Sequence, residues 1–335
     1  MKVWLTTAAA LGLLAPAALA GVDPALLALV QPDAKMLVGI QVTQAQSSPL
    51  GQYLLSQVEL DSTANKVMTA AGFDPRRDLR EILAASGDGT AGLMLGRGSF
   101  QPAKISKAAV AAGAVASTYR GTEILTLKNS ADGKNDGKNK LAGSMAFLDA
   151  STVAAGDSDS VKAVIDRRAS GQAKGPLSVE LAERARQISA IDDAWVASLT
   201  PPSAFSGTAK NSQLGPFENL LQSALQLSAG LKFTATQVTL SVEVLTRSAQ
   251  DAQSMADVLK FLAGMIQQAS NSNASPNTSK TPSLGESTKV STTGPTLHLT
   301  ISVPEQQMEQ LIIPESKQPD AKQPGPGQTK KGTGR

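Results

Sequence analysis

The stretch Gln237-Val238-Thr239-Leu240-Ser241-Val242-Glu243-Val244 decides the fold. Val238, Leu240, Val242 and Val244 alternate with Gln237, Thr239, Ser241 and Glu243, a period of two that gives a strand one apolar and one polar face. One face must meet water. Strands of a doubly wound parallel sheet are covered on both sides and read as continuous apolar runs, so this alternation points to antiparallel pairing. Directly downstream, Ala249 to Gln268 places Ala252, Met255, Leu259, Leu262 and Ile266 at helical spacing, which predicts a long helix docked on the apolar side of that sheet. The expected fold class is α+β, a mainly antiparallel sheet with helices packed on one face.

Working outward, residues 271–287 form a polar Asn, Ser, Thr and Pro run, too poor in apolar side chains to enter a core, and read as a flexible insert. Strands follow at Thr288 to Thr293 and Thr296 to Val303, turning at Gly294-Pro295. A helical turn from Glu305 to Ile312 ends before Pro314. Residues 314–335 are a Pro, Gly, Gln and Lys tail expected to be disordered. Upstream, a helix near Leu177 to Ile188 precedes a strand at Ala194 to Leu199, closed by Pro201-Pro202. Phe217 to Leu227 reads as helix and Leu231 to Thr236 as strand.

The earlier part of the chain has similar grammar. Met36 to Val42 alternates as a strand, and Pro49 to Ala71 carries a helical stripe through Leu50, Tyr53, Leu54 and Val58. Phe73-Asp74-Pro75-Arg76-Arg77-Asp78-Leu79 reads as a helix start, with Asp74 as cap and Pro75 in the first turn. Strands are expected at Ala91 to Leu95, Glu123 to Leu127, Ser144 to Leu148 and Thr152 to Ala155, and helices at Pro102 to Ala112 and from Ser158 to Arg168. The polar loop Asn129 to Lys140, with Asp132-Gly133 and Asp136-Gly137, reads as a hairpin tip. Gly171 to Pro176 is the candidate boundary between two similar halves, residues 21–172 and 173–313.

Met1 to Ala20 has the parts of a secretory signal: Lys2, an apolar run from Val3 to Ala15, and the small-x-small site Ala18-Leu19-Ala20 before Gly21. An exported protein, periplasmic or extracellular, is expected, with no transmembrane helix once the signal is removed. The chain of 335 residues has no cysteine and one histidine, His298. Thiol chemistry, disulfides, Cys-ligated metals and His-rich metal sites are thereby excluded. The net charge of +3 resides entirely in the tail, where Lys317, Lys322, Lys330, Lys331 and Arg335 outnumber Glu315 and Asp320. Aromatic residues make up only 3% of the chain, so stacking platforms for bases are missing and no nucleic acid is expected as partner.

Motif tests identify no catalytic, cofactor-binding or metal-ligating residue. Gly87-Asp88-Gly89-Thr90-Ala91-Gly92 has the spacing of a dinucleotide fingerprint. That motif requires a strand before and a helix after, whereas here a helix is expected before and a strand after. Asp132 to Lys140 has Lys134 where a calcium loop needs oxygen. Asp157 and Asp159 read as helix capping. His298 shares the polar side of its strand with Thr296, Thr300 and Ser302, and no G-x-S-x-G elbow accompanies it. Trp195, with Lys330, Lys331 and Arg335 of the tail, remains as a partner-binding candidate: an exposed indole anchors protein or sugar surfaces, and a basic tail attracts anionic ones.

The signal segment, the Met36 to Val42 strand, the Phe73 to Asp78 motif and the sheet followed by the Ala249 to Gln268 helix together resemble a loose group of exported bacterial α+β proteins of unknown function. That resemblance implies export and fold, and transfers no functional residue. The functional expectation is a non-catalytic module that binds another protein or an envelope polymer. The alternatives are a periplasmic receptor whose two halves close on a small solute, and a metal-independent hydrolase using serine, lysine or carboxylates.

Overall fold

The computed structural model describes residues 21–56, 62–87, 92–126, 143–170, 177–201, 222–272 and 287–305. The chain opens with α1 (Pro24–Leu27) and β1 (Ala34–Gln41), followed by α2 (Val42–Ala45), α3 (Pro49–Ser56), α4 (Ser62–Ala71) and α5 (Pro75–Asp78). Then come β2 (Leu79–Gly87), β3 (Leu93–Gly98), α6 (Pro102–Ala111), β4 (Val115–Tyr119), β5 (Thr122–Thr126), β6 (Ser144–Asp149) and β7 (Thr152–Gly156). Helices α7 (Ser158–Ser170) and α8 (Val179–Ser189) lead to β8 (Ala194–Ser198), β9 (Ala224–Phe233) and β10 (Gln237–Thr246). Helix α9 (Ala249–Ser272) and the hairpin β11 (Thr288–Thr293) and β12 (Thr296–Pro304) complete the described chain.

All twelve strands join one sheet in the order β11-β12-β10-β9-β8-β1-β2-β3-β7-β6-β5-β4. Every neighbouring pair is antiparallel, as the alternation in β10 requires. The α+β class read from the sequence is the class observed. The order of elements also repeats. In the first half β1-β2-β3 form a meander, α6 crosses, and β4 to β7 return so that β7 pairs with β3. In the second half β8-β9-β10 form the meander, α9 crosses, and β11 and β12 return so that β12 pairs with β10. A helix precedes the first strand of each half, α1 before β1 and α8 before β8. The halves meet where β1 runs antiparallel to β8, with Val38 opposite Val196.

Cross-strand register separates the two faces. On one, Leu125, Met145, Met94, Val38, Ala229 and Val242 lie in a row that stays apolar across the sheet. Helices α2 to α6 cover it in the first half and at the seam, and α9 covers it in the second. On the other face the row runs from Ile124 through Leu95, Leu83 and Trp195 to Ser241, Thr300 and Lys289. It is apolar under α1, α7 and α8 and turns polar beyond β9. At the β10-β12-β11 end, therefore, helices sit on one face only; toward the centre both faces are covered, and the main core cluster lies there under α1 and α8.

Several local expectations change. The helix that begins at Pro75 lasts one turn: Asp74 Oδ1 accepts the Arg76 amide at 3.0 Å, but Leu79 is already extended and opens β2. Glu81, Leu83 and Ala85 then alternate inward, so a strand and not a helix precedes Gly87. The dinucleotide spacing bridges two strands of a hairpin, and its residues 88–91 lie outside the described chain. The stretch from Pro49 to Ala71 is two elements, α3 and α4, and β4 is a strand that the sequence reading lacks. Residues 224–227 of the expected Phe217 to Leu227 helix are strand, since β9 must span β10 from Ala224 to Phe233. Residues 222 and 223 form a turn, and residues 217–221, most of the 271–287 insert, the Asn129 to Lys140 loop and the tail fall outside the described residues.

Candidate functional site

The first-half helices do not close fully over the sheet. Beneath them, Ile82 of β2, Met94 and Gly96 of β3, Val153 and Ala155 of β7 and Met145 and Phe147 of β6 form an apolar floor. A Cβ on Gly96 would stand 2.8 Å from Val153 Cγ1, so glycine there keeps the floor low. Leu55 of α3, Met68 of α4, Phe73, and Phe100 with Ile105 at the start of α6 form the walls. The cleft is open on one side and measures about 750 Å³. That lies within the range of small-molecule sites, which are largely apolar with a few polar groups fixing orientation.

Three of the seven phenylalanines of the chain meet where one wall joins the floor. Phe73 stacks on Phe100 with ring centroids 5.6 Å apart, and Phe147 tilts against Phe100 at 5.4 Å. These offset contacts rigidify the wall, whereas Met68, Met94 and Met145 supply pliable surface. Polar groups stand at the rim: Ser56, Asn65, Asp74 and Arg76 are exposed residues of the lining. Sequence reading missed this site because its residues come from separate elements, each of which reads as ordinary core. The one available signal is the Phe73 to Asp78 motif, whose turn forms part of the rim.

A smaller cavity of about 340 Å³ lies between the turn before β1 and α7, lined by Gln31, Asp33, Asp157, Asp159 and Arg167. Asp157 is occupied there as the expected cap, its Oδ1 accepting the Asp159 and Ser160 amides at 3.0 and 2.9 Å. Those hydrogen bonds, with that from the Ser160 hydroxyl, hold its carboxyl below the usual range although burial opposes them. Among the described residues no group of three or more His, Asp or Glu is placed to hold a metal. No helix among them is long and apolar enough to cross a membrane.

Trp195 is 3% exposed and lies in the main core, its indole filling the space over Gly39. It is packing and not a docking anchor, because β8 is a central strand covered by α8. Lys330, Lys331 and Arg335 lie outside the described residues, as do Ala18 and Ala20. Gly21 is the first described residue and begins a well-tied segment. Gln41 Nε2 donates to the Gly21 carbonyl at 3.3 Å, the Val22 amide donates to Ser189 Oγ at 2.9 Å, and the Asp23 amide donates to Glu81 Oε1 at 3.1 Å. Arg97 Nε holds Asp23 Oδ2 at 2.6 Å, and with the Ala25 amide it keeps that carboxyl low against the opposing effect of burial. Burial pushes the Glu81 carboxyl up to about 7.

His298 occupies the polar face of β12, its Nδ1 3.6 Å from Glu243 Oε2, while Arg184 Nη1 approaches the other Glu243 oxygen at 3.3 Å. No serine hydroxyl hydrogen-bonds His298 among the described residues, and neither cavity reaches it. Fold and cleft together define a class: an α+β protein built on one continuous antiparallel sheet, with an apolar cleft under the helices of its first half. No protein-family model and no curated protein matches the sequence. Among solved structures, crystal form I of TP0453 matches with a TM-score of 0.50 at 11% identity, over 88% of this chain and 97% of that one. Crystal forms III and IV of TP0453 match with TM-scores of 0.51, also at 11% identity and over 88% of this chain. At that identity the likeness is one of fold alone.

Proposed function

We propose that the protein binds an apolar small ligand in the first-half cleft. The observation that carries this reading is an apolar, phenylalanine-walled cleft of about 750 Å³ with its polar groups confined to the rim. It departs from a receptor whose halves close on a solute, because β1 and β8 are hydrogen-bonded neighbours in one sheet and leave no hinge between the halves. The test is titration with the neutral fluorophore N-phenylnaphthylamine, whose emission rises in apolar surroundings. Wild type should bind it, and Ala155→Phe, which fills the floor, should lose binding while keeping a cooperative thermal transition. Equal binding by both proteins would sink the proposal.

A second reading, attachment to another macromolecule, is favoured by the outward side of α9, where Val258, Phe261 and Met265 are exposed at helical spacing, Phe261 at 68%. Export remains part of either reading. It rests on the Met1 to Ala20 signal, and a chain cut before Gly21 retains the clamp made by Ser189, Gln41 and Glu81. Mass spectrometry of protein recovered from an envelope or culture fraction should give the mass of residues Gly21 to Arg335; an intact Met1 would refute cleavage.

A further inference from the structure

Resting on the cleft reading above, we infer that the ligand class is a single-chain amphiphile with an anionic head, held at the cleft rim by Arg76. The four charged residues of the Asp74 to Asp78 turn are not equivalent. Arg77 is committed: its Nε and Nη2 each donate to Asp78 at 2.8 Å, and Nη2 also reaches the Gly72 carbonyl at 3.1 Å. Asp74 is turned to the backbone, its Oδ1 accepting the Arg76 amide at 3.0 Å, and Asp78 Oδ2 accepts the Asp74 amide at 2.9 Å. That leaves Arg76. Arg76 is an exposed residue of the cleft lining, and no ion pair ties it to a carboxylate among the described residues.

A guanidinium offers a rigid fork of donors that matches a carboxylate or phosphate and no neutral hydroxyl equally well. The apolar floor and walls take the remainder of the ligand. A volume of about 750 Å³ corresponds to about 25 atoms each the size of a water molecule, enough for one long alkyl chain with its head. Ligand orientation follows: tail toward Phe100, Phe147 and Met145, head outward at Arg76, where water remains available to the charge.

The test uses the full mature chain and displacement of N-phenylnaphthylamine by palmitic acid, cetyl phosphate, cetyl alcohol and cetyltrimethylammonium below their micellar concentrations. Palmitate and cetyl phosphate should displace the fluorophore at concentrations about fivefold to tenfold lower than the neutral alcohol, the range expected of one partly exposed charge-assisted contact. Cetyltrimethylammonium should be the weakest. Arg76→Gln should erase the anion preference by weakening palmitate and cetyl phosphate more than the alcohol, and Arg77→Gln should leave the preference intact. A wild type that does not distinguish the four heads, or a preference that survives Arg76→Gln, overturns the head-group inference and leaves the cleft reading standing. Failure of all four to displace the fluorophore, together with unaltered fluorophore binding in Ala155→Phe, overturns both.

Discussion

Gly39 and Trp195 face each other across the seam, and the indole occupies the space a Cβ on Gly39 would need. Gly39→Ala should therefore overpack the core at a cost of about 1–3 kcal/mol. Thermal unfolding read by the fluorescence of Trp195 should show the midpoint falling by several degrees, and an unchanged midpoint would contradict the packing described. Glu81 is the second test at this scale. Only 6% exposed, its carboxyl rises by burial from an ordinary 4.5 to about 7. Between those values the folded protein keeps a proton that the unfolded chain has released, so stability falls as pH rises through this window and levels off above it. The expected total is roughly 3 kcal/mol, and Glu81→Gln should flatten that part of the profile measured by urea unfolding. Neither role is legible in the sequence. Trp195 reads there as an exposed anchor because it sits beside Asp192 and Asp193 at the start of its strand, and only its central place in the sheet shows that it is buried.

Elements with long, one-sided periodicity are the legible ones. The alternation in β10 and the stripe of α9 report the end of the sheet where one face meets solvent, and β11 and β12 flank them there. Toward the centre the pattern fades, since β2 and β3 are covered on both sides and their alternation no longer separates apolar from polar. That is why the turn at Pro75 reads as the start of a longer helix, and why β2 and β3 themselves carry no sign of the cleft above them. Capping, by contrast, is local and readable. Asp157 satisfies two amides at the first turn of α7, so Asp157→Ala should cost about 1 kcal/mol and lower the melting temperature by a few degrees without altering ligand binding, as checked by calorimetry and fluorophore titration. No loss of stability would mean that the cap is dispensable.

On the scale of the molecule, the two halves repeat one order of elements yet share a sheet, and neither has a finished edge at the seam. Residues 21–172 alone would present β1 with its seam-facing amides and carbonyls unpaired, a template for association. Expressed separately, that half should elute as a dimer or larger species in size-exclusion chromatography with light scattering. Mixing with residues 173–313 should convert it to a one-to-one complex; a monodisperse, stable monomer of the first half would show that the seam is dispensable.

Strand β1 is among the first parts of the chain to be made, yet it is completed after every other strand of the first half. Its β2 side is paired once residues 79–87 have emerged, but its other side waits for residues 194–198. A chain threaded through a membrane in the N-to-C direction would thus spend the interval with its central strand open to whichever extended peptide arrives first. On the proposed export, chaperone occupancy during translocation should be concentrated on β1, and should end when β8 takes its place.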